Sequence, residues 1–444
     1  MTATRIPNVS MFRFLTRAGG ILKNPLPFHK EKFESLGDTF SVQITPFETI
    51  IFTRSPGLAE HVLQKNQRNY EKSPIQTKDL SKYIGHGLLT ANGELWKKQR
   101  KLIQPAFHKK QLVQLLDTMQ QAVVAELDKI VVNEERDIFP IFNDLAFQTV
   151  VKSLFSSAAG EEEINRLQYI TESAQRMLVK ELRQPFKKWW FDWGGAIDRT
   201  LALTKEARQI LKDIVNARKE SGERQGDLLD MLLDARYEDG SAIAEEQLID
   251  EILILFTAGH ETTSNALTFT CELLARNQEA QQRIYEEVTE AGNKELSLME
   301  LIQQCTYTKQ VLEESMRLYP PAYFIDRISL EDDEFEGFKI PKGTNVLLSC
   351  YEIHRHPDYW EEPERFDPAR FDPENKMTYA NYYYPFGAGP RMCIGNNFAM
   401  YEMILAIAAI MRRFSITPKD SPISIKPLIT LKPKEARLEF IPRA

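Results

Sequence analysis

Cys393 stands among three glycines in FGAGPRMCIG, Phe386 to Gly395. Glycines let a backbone approach closely and leave amide N–H groups free to face something negative, and the thiolate, the metal-binding form of cysteine, is such a partner. A cysteine that only fills a core asks for apolar neighbours and nothing more. Upstream, Ala258-Gly259-His260-Glu261-Thr262-Thr263 sets an acid beside an alcohol within a long, otherwise apolar helical stretch. On its own this reads as a polar kink in a buried helix, its threonine bonding back to a carbonyl. Gly259 costs about 1 kcal/mol against alanine in a helix, so something is expected to come close to the backbone there. His260 occupies the position between glycine and acid and is given no catalytic role.

Two more pairs have helical spacing. Glu314 and Arg317 lie three apart, and Trp96 and Arg100 four apart, so each pair shares a helix face. An acid–guanidinium pair of this kind is usually a solvated surface contact. Trp96 offers an indole N–H and Arg100 a guanidinium, both of them donors.

In order and in detail these patterns resemble the cytochrome P-450 family, whose haem-binding signature is filled at Phe386, Gly387, Gly389, Arg391, Cys393 and Gly395. The resemblance implies that Cys393 is the axial thiolate of haem b, a ligand that pushes electron density through iron and favours O–O cleavage, with Phe386, Gly387 and Gly395 as further cofactor-binding residues, the glycine-rich backbone bonding the sulfur and Phe386 shielding it from solvent. It implies that Arg365, in Pro363-Glu364-Arg365-Phe366, joins Glu314 and Arg317 in a buried structural triad. Trp96, Arg100, Arg391 and Arg327 are then expected at the haem propionates, and Glu261 and Thr262 as the proton-delivering pair. Substrate contacts are expected at Tyr83, His86, Phe256, Ala258, Tyr323 and Phe324. The implied activity is insertion of one oxygen atom of O2 into an organic substrate, by hydroxylation or O-dealkylation. Relatives that use peroxide or rearrange hydroperoxides, and a non-enzymatic haem-based gas sensor, are the alternatives, and the acid–alcohol pair favours O2. Electrons are expected from a separate ferredoxin or flavodoxin with its reductase, steered to Lys97, Lys98, Arg100, Lys101, Lys109 and Lys110. Fatty acids, terpenoids, aromatic ethers and methylated sugars all remain open as substrates.

The elements that must position these residues follow from periodicity. Thr39 to Phe52 alternates as a hairpin does. Helical periods fill LAEHVLQKN, Leu112–Val132, Ile164–Leu182, Thr204–Lys219 and Glu245–Glu290, and a buried helix is expected over Asn396–Phe414. FKIPKGTNVLLS, after Pro320-Pro321, reads as a second hairpin, followed by an irregular Pro-rich stretch. QPFKKWWFDW is read as tryptophans packed within an interhelical loop, with a lipid-facing role as the alternative. The expected fold is mainly α with small β-sheets: a large helical part and a smaller β-rich part around a buried haem. One domain is expected over 1–444, with an N-terminal β-rich portion near 30–60, a helical body at about 60–320, a strand, meander and haem-loop region at about 320–395, and a terminal helix and strands over 396–444.

Composition agrees. Of 444 residues, 43% are hydrophobic and 27% charged, the balance of a globular chain with ample core. A net charge of −7 argues against nucleic acid as a partner. Four cysteines without CxxC spacing, Cys271, Cys305, Cys350 and Cys393, suit a reducing compartment. Arg13 interrupts MFRFL and Arg17 follows it, so neither a signal peptide nor a transmembrane anchor is expected. A monomer in a bacterial cytoplasm is the expectation; the acid-free, arginine-bearing first thirty residues keep a mitochondrial matrix protein as the alternative.

Overall fold

The computed structural model describes residues 6–45, 48–156, 158–184, 187–418 and 423–443. They form two compact units, each assembled from segments distant in sequence.

The first unit comprises residues 1–75, 313–393 and 425–432. Its centre is a six-stranded sheet in the order Asn8–Val9, Thr39–Thr45, Glu48–Thr53, Asn345–Ser349, Phe324–Ser329 and Tyr70–Glu71. The expected hairpin is present, with Phe40 opposite Phe52 and Val42 opposite Ile50. β-Branched and aromatic residues alternate along it, and Phe40, Val42 and Phe52 bury with Val9, Phe28 and Phe33.

The expected hairpin over FKIPKGTNVLLS is not formed. Phe338–Ile340 pairs instead with Asp333–Phe335, while Asn345–Ser349 runs parallel to Glu48–Thr53 and antiparallel to Phe324–Ser329. Pro341 cannot donate to a ladder, and Gly343 at φ +77° turns the chain away. The two halves therefore enter different sheets.

The second unit, residues 76–312, 394–424 and 433–444, is mainly helical, with a three-stranded sheet in the order Phe414–Pro418, Arg437–Pro442 and Glu135–Asp137. Its main helices are Gly93–Ile103, Leu116–Leu127, Phe139–Phe155, Glu161–Arg183, Ala196–Ser221, Glu245–Arg276, Gln278–Gly292 and Asn396–Arg413. The continuous stretch expected over Glu245–Glu290 is two helices, broken where Asn277 leaves helical geometry at φ −127°, ψ 77°. Glu245 and Glu246 in the first turn and Arg276 in the last complement the dipole of the longer one. The last helix, Asn396–Arg413, is buried along most of its length, as its nearly all-round apolar pattern requires. Among the described residues, no helix is long and apolar enough to cross a membrane.

Candidate active site

The residues singled out above divide between the units. Cys393, Phe386, Gly387, Arg391, Arg327, Glu314, Arg317, Arg365, Tyr323 and Phe324 belong to the first. Trp96, Arg100, Tyr83, His86, Phe256, Ala258, Glu261, Thr262 and Gly395 belong to the second.

In the first unit, the Cys393 N–H donates to the Phe386 carbonyl at 2.9 Å, closing the loop on itself. Gly387 and Gly389 adopt φ +72° and +68°, a region L side chains rarely enter. A Cβ on Gly389 would stand 2.0 Å from the Leu63 carbonyl oxygen, so that glycine is required by a neighbouring backbone as well. Cys271, Cys305 and Cys350 are buried, whereas Cys393 is exposed. Burial pushes the thiols of Cys305 and Cys350 up to about 12 and that of Cys271 higher still. Only the loop cysteine is placed for ligand chemistry.

Arg327 is buried, donates to the Asp326 carbonyl at 2.7 Å, and is pulled down to about 10, chiefly by desolvation and further by Arg391 nearby. Burial lowers Arg391 too; its Nη1 reaches the Gln67 carbonyl and Oε1 at 3.2 Å. Two desolvated guanidinium groups that repel each other make a seat for an anion.

Glu314 and Arg317, on the helix Thr306–Leu318, are fully buried at 0% exposure. Arg317 holds the carboxylate with Nε at 2.6 Å and Nη2 at 2.8 Å, and its remaining donors reach the carbonyls of His354, Pro363 and Arg365. The Asp367 N–H adds a bond to Glu314 at 2.8 Å. Burial pushes this carboxyl up, and the Arg317 fork is the chief pull against it.

The expected third member is corrected. Arg365 points to solvent, its side chain 62% exposed, and pairs with Glu362 at 2.8 Å. Arg370, 15% exposed, brings its Nε to 3.6 Å from Glu314. Pro368-Ala369-Arg370-Phe371 repeats the Pro-x-Arg-Phe pattern of Pro363 to Phe366 five residues on. The chain folds the second copy inward because Phe371 packs on Trp360 and Tyr383.

In the second unit, Glu261 and Thr262 lie on the uninterrupted helix Glu245–Arg276, and the Thr262 hydroxyl donates to the Ala258 carbonyl at 2.7 Å. A Cβ on Gly259 would meet Val150 Cγ2 at 2.9 Å, so here the close approach is made by the helix Phe139–Phe155. His260 is buried edge-on against Phe147 and bonds the Phe256 carbonyl through Nδ1, a structural role. Trp96 is buried and Arg100 half-buried on one face of Gly93–Ile103. Lys97, Lys98, Lys101, Lys109 and Lys110 are exposed as expected. Folding nonetheless brings acids to them, Glu94 to Lys97 and Glu238 to Lys101.

The expected substrate contacts fare unevenly. Phe256 is fully buried between Phe147 and Phe155 and is core, not pocket wall. On a helix apolar nearly all round, sequence does not show which apolar residues face inward. Tyr323 is buried with its hydroxyl on the Leu428 carbonyl, and Phe324 packs beside it. Tyr83 is buried with its hydroxyl on Glu181, which also takes Lys82 at 2.8 Å. His86 and Ala258 are exposed. The tryptophans expected to pack are also exposed: Trp189, Trp190 and Trp193 stack mainly on one another along the six-residue helix Lys188–Trp193, too short to bury three indoles. Pro185 and Phe186 lie outside the described residues.

The family model described as cytochrome P450 matches residues 6–440, nearly the whole chain. The chain belongs to the cytochrome P450 family. It is an oxidoreductase of the P450 monooxygenase class, with haem b as cofactor. The observations above fit that group: an exposed thiol in a glycine-cradled loop for the iron, and desolvated Arg327 and Arg391 for propionate charge. Cytochrome P450 4A12 of Rattus norvegicus is 30% identical over 83% of this chain and 77% of its own length. Pentalenene oxygenase of Streptomyces avermitilis is 26% identical over 95% and 94%, and cyclooctat-9-en-7-ol 5-monooxygenase of Streptomyces melanosporofaciens 29% over 86% and 83%. The crystal structure of the cytochrome P450DA heme domain matches with a TM-score of 0.88 at 24% identity, covering 100% of this chain and 98% of that one. The mainly helical P450 fold with small sheets is thus the one adopted.

Proposed function

We propose that this P450 inserts one oxygen atom of O2 into an organic substrate, by hydroxylation or O-dealkylation, with Cys393 as iron ligand and electrons from a separate acidic protein. The observation that carries the reading is the acid–alcohol pair: Glu261 and Thr262 adjoin on an unbroken helix, with the Thr262 hydroxyl hydrogen on the Ala258 carbonyl. Haem held through Cys393 would be where O2 is activated, with both electrons coming from the donor protein. Thr262 Oγ1 is left with its lone pairs as an acceptor, able to order a water that carries the proton, and the half-buried Glu261 draws replacement protons from solvent. Arg327 and Arg391 fix propionate charge; Glu314 and Arg317 hold the chain leading to the cysteine loop. Four cysteines, none in a disulfide, suit a reducing compartment such as the cytoplasm.

Thr262→Ala tests the proton route. The variant is expected to keep haem and substrate affinity, to go on consuming reductant, and to release hydrogen peroxide in place of most of the product. Unchanged product per electron would sink the route, and full activity on peroxide alone would favour a peroxide-using enzyme.

The donor is proposed to dock on the exposed lysines between Lys97 and Lys110, as a ferredoxin or flavodoxin would. Replacing Lys97 and Lys101 by Glu is expected to slow reduction at low ionic strength and flatten its salt dependence, since screened attraction is the cause. Equal rates in stopped-flow reduction at low salt would remove the patch from consideration.

A further inference from the structure

Asp333, far from Cys393 in sequence, is a hydrogen-bonding hub. One carboxylate oxygen accepts from His61 Nε2 at 2.8 Å, Asn66 Nδ2 at 3.0 Å and the Tyr70 hydroxyl at 2.6 Å, while the other accepts the Glu334 N–H at 2.9 Å. Tyr70 is fully buried, and Phe335 packs against the His61 ring at 5.2 Å. Despite burial, the Tyr70 and His61 hydrogen bonds hold the Asp333 carboxyl below its ordinary range.

Three of these donors bracket an unusual turn. Ser55 caps Pro56–Glu60, but from His61 to Lys65 the coil widens to a π-helical turn, closed by the Asn66 N–H on the His61 carbonyl at 2.8 Å. Such turns are rare and are kept where neighbours enforce them. Leu63, in its middle, offers the carbonyl against which Gly389 rests without room for a Cβ, and Gln67, just beyond, holds Arg391. Met392 N–H in turn donates to the Gly389 carbonyl at 3.0 Å, one residue before the cysteine.

We propose that Asp333, through His61, Asn66 and Tyr70, is a positioning residue for the Cys393 loop. It fixes the wide turn 61–65 as the floor under Gly389 and the Gln67 anchor of Arg391. The hub thereby sets how firmly the thiolate and one propionate-facing guanidinium are held. All its members lie in one compact unit. This deepens the reading of Cys393 as iron ligand and rests on it; that reading is checked separately by a thiolate-type Soret band in the parent protein's reduced carbon monoxide complex.

The test uses haem-loaded protein carrying Asp333→Asn, the milder Tyr70→Phe, and Thr39→Val. The last breaks the buried Thr39–Thr53 hydroxyl pair of the same unit, which is not part of the Asp333 hub. Haem dissociation to an apoglobin acceptor and conversion of the reduced carbon monoxide complex to the blue-shifted form are followed for each. Asp333→Asn is expected to speed both several-fold, Tyr70→Phe to do so less, and Thr39→Val to lower only the melting temperature. If Asp333→Asn fails to fold, Tyr70→Phe decides. A parent with the thiolate band whose hub variants match Thr39→Val in haem retention and spectrum would overturn the proposal.

Discussion

Two glutamates are fully buried on either side of the cysteine in sequence, and they live in opposite ways. Glu314, in the first unit, is surrounded by donors: the Arg317 fork, the Asp367 amide and Arg370. Glu402, in the second, accepts no hydrogen bond of ordinary geometry from the described residues at either oxygen; the nearby Thr149 hydroxyl gives its proton to the Leu145 carbonyl. Burial therefore drives the Glu402 carboxyl well above its usual range. Burial raises both carboxyls, but the Arg317 fork pulls Glu314 back toward the charged form, whereas Glu402 has no such partner. The two sites therefore make different demands on mutation and pH.

The largest effect is expected from taking the guanidinium away. Arg317→Ala leaves Glu314 uncompensated and strands three carbonyls, a loss of about 3–5 kcal/mol, read as poor folding and little bound haem. A well-folded, haem-replete Arg317→Ala protein would mean that Glu314 simply takes up a proton, as Glu402 does, and the contrast would collapse.

Glu402→Gln probes the other side. Above the ordinary glutamate value of 4.5 the folded state keeps a proton that the unfolded chain releases, so stability falls as pH rises, by up to about 1.4 kcal/mol per unit. Glutamine removes that slope. Denaturant midpoints from pH 4 to 7.5 are expected to diverge, with the variant gaining on the parent as pH rises; parallel lines would show Glu402 ionised in the fold.

The smallest effects sharpen the triad. Arg370→Ala is expected to cost about 1–3 kcal/mol for a half-buried donor near a buried charge, whereas Arg365→Ala leaves the melting temperature unchanged. The reverse ranking would restore Arg365.

That reversal shows where sequence stops. The cysteine loop, the acid–alcohol pair and the Glu314–Arg317 spacing are local patterns, legible because glycine conformation and helical period are local. Arg365 and Arg370 sit in near-identical tetrapeptides, and only burial against Trp360 and Tyr383 tells which turns inward. Phe256 failed for the same reason, since an all-round apolar helix does not announce its pocket face. FKIPKGTNVLLS misled because Asn345–Ser349 pairs with Phe324–Ser329 and with a strand near the N-terminus, neither of them its neighbour across the Pro341–Gly343 turn. Asp333 carried no motif; an aspartate among LEDDEFEG looks like solvated charge until His61, Asn66 and Tyr70 are folded against it.

The sheet order also bears on time. Ile51 pairs with Val346, and the two are about 300 residues apart. At the roughly 5–20 residues added per second during synthesis, the hairpin Thr39–Thr53 waits about 15–60 s before its parallel neighbour exists. Throughout that interval Ile50 to Thr53 present an open β edge, the kind of surface that recruits other strands. The newborn chain must survive on its second unit's helices, most of which are complete before residue 313 is made, and only the last third of translation seals the edge that the first fifty residues opened.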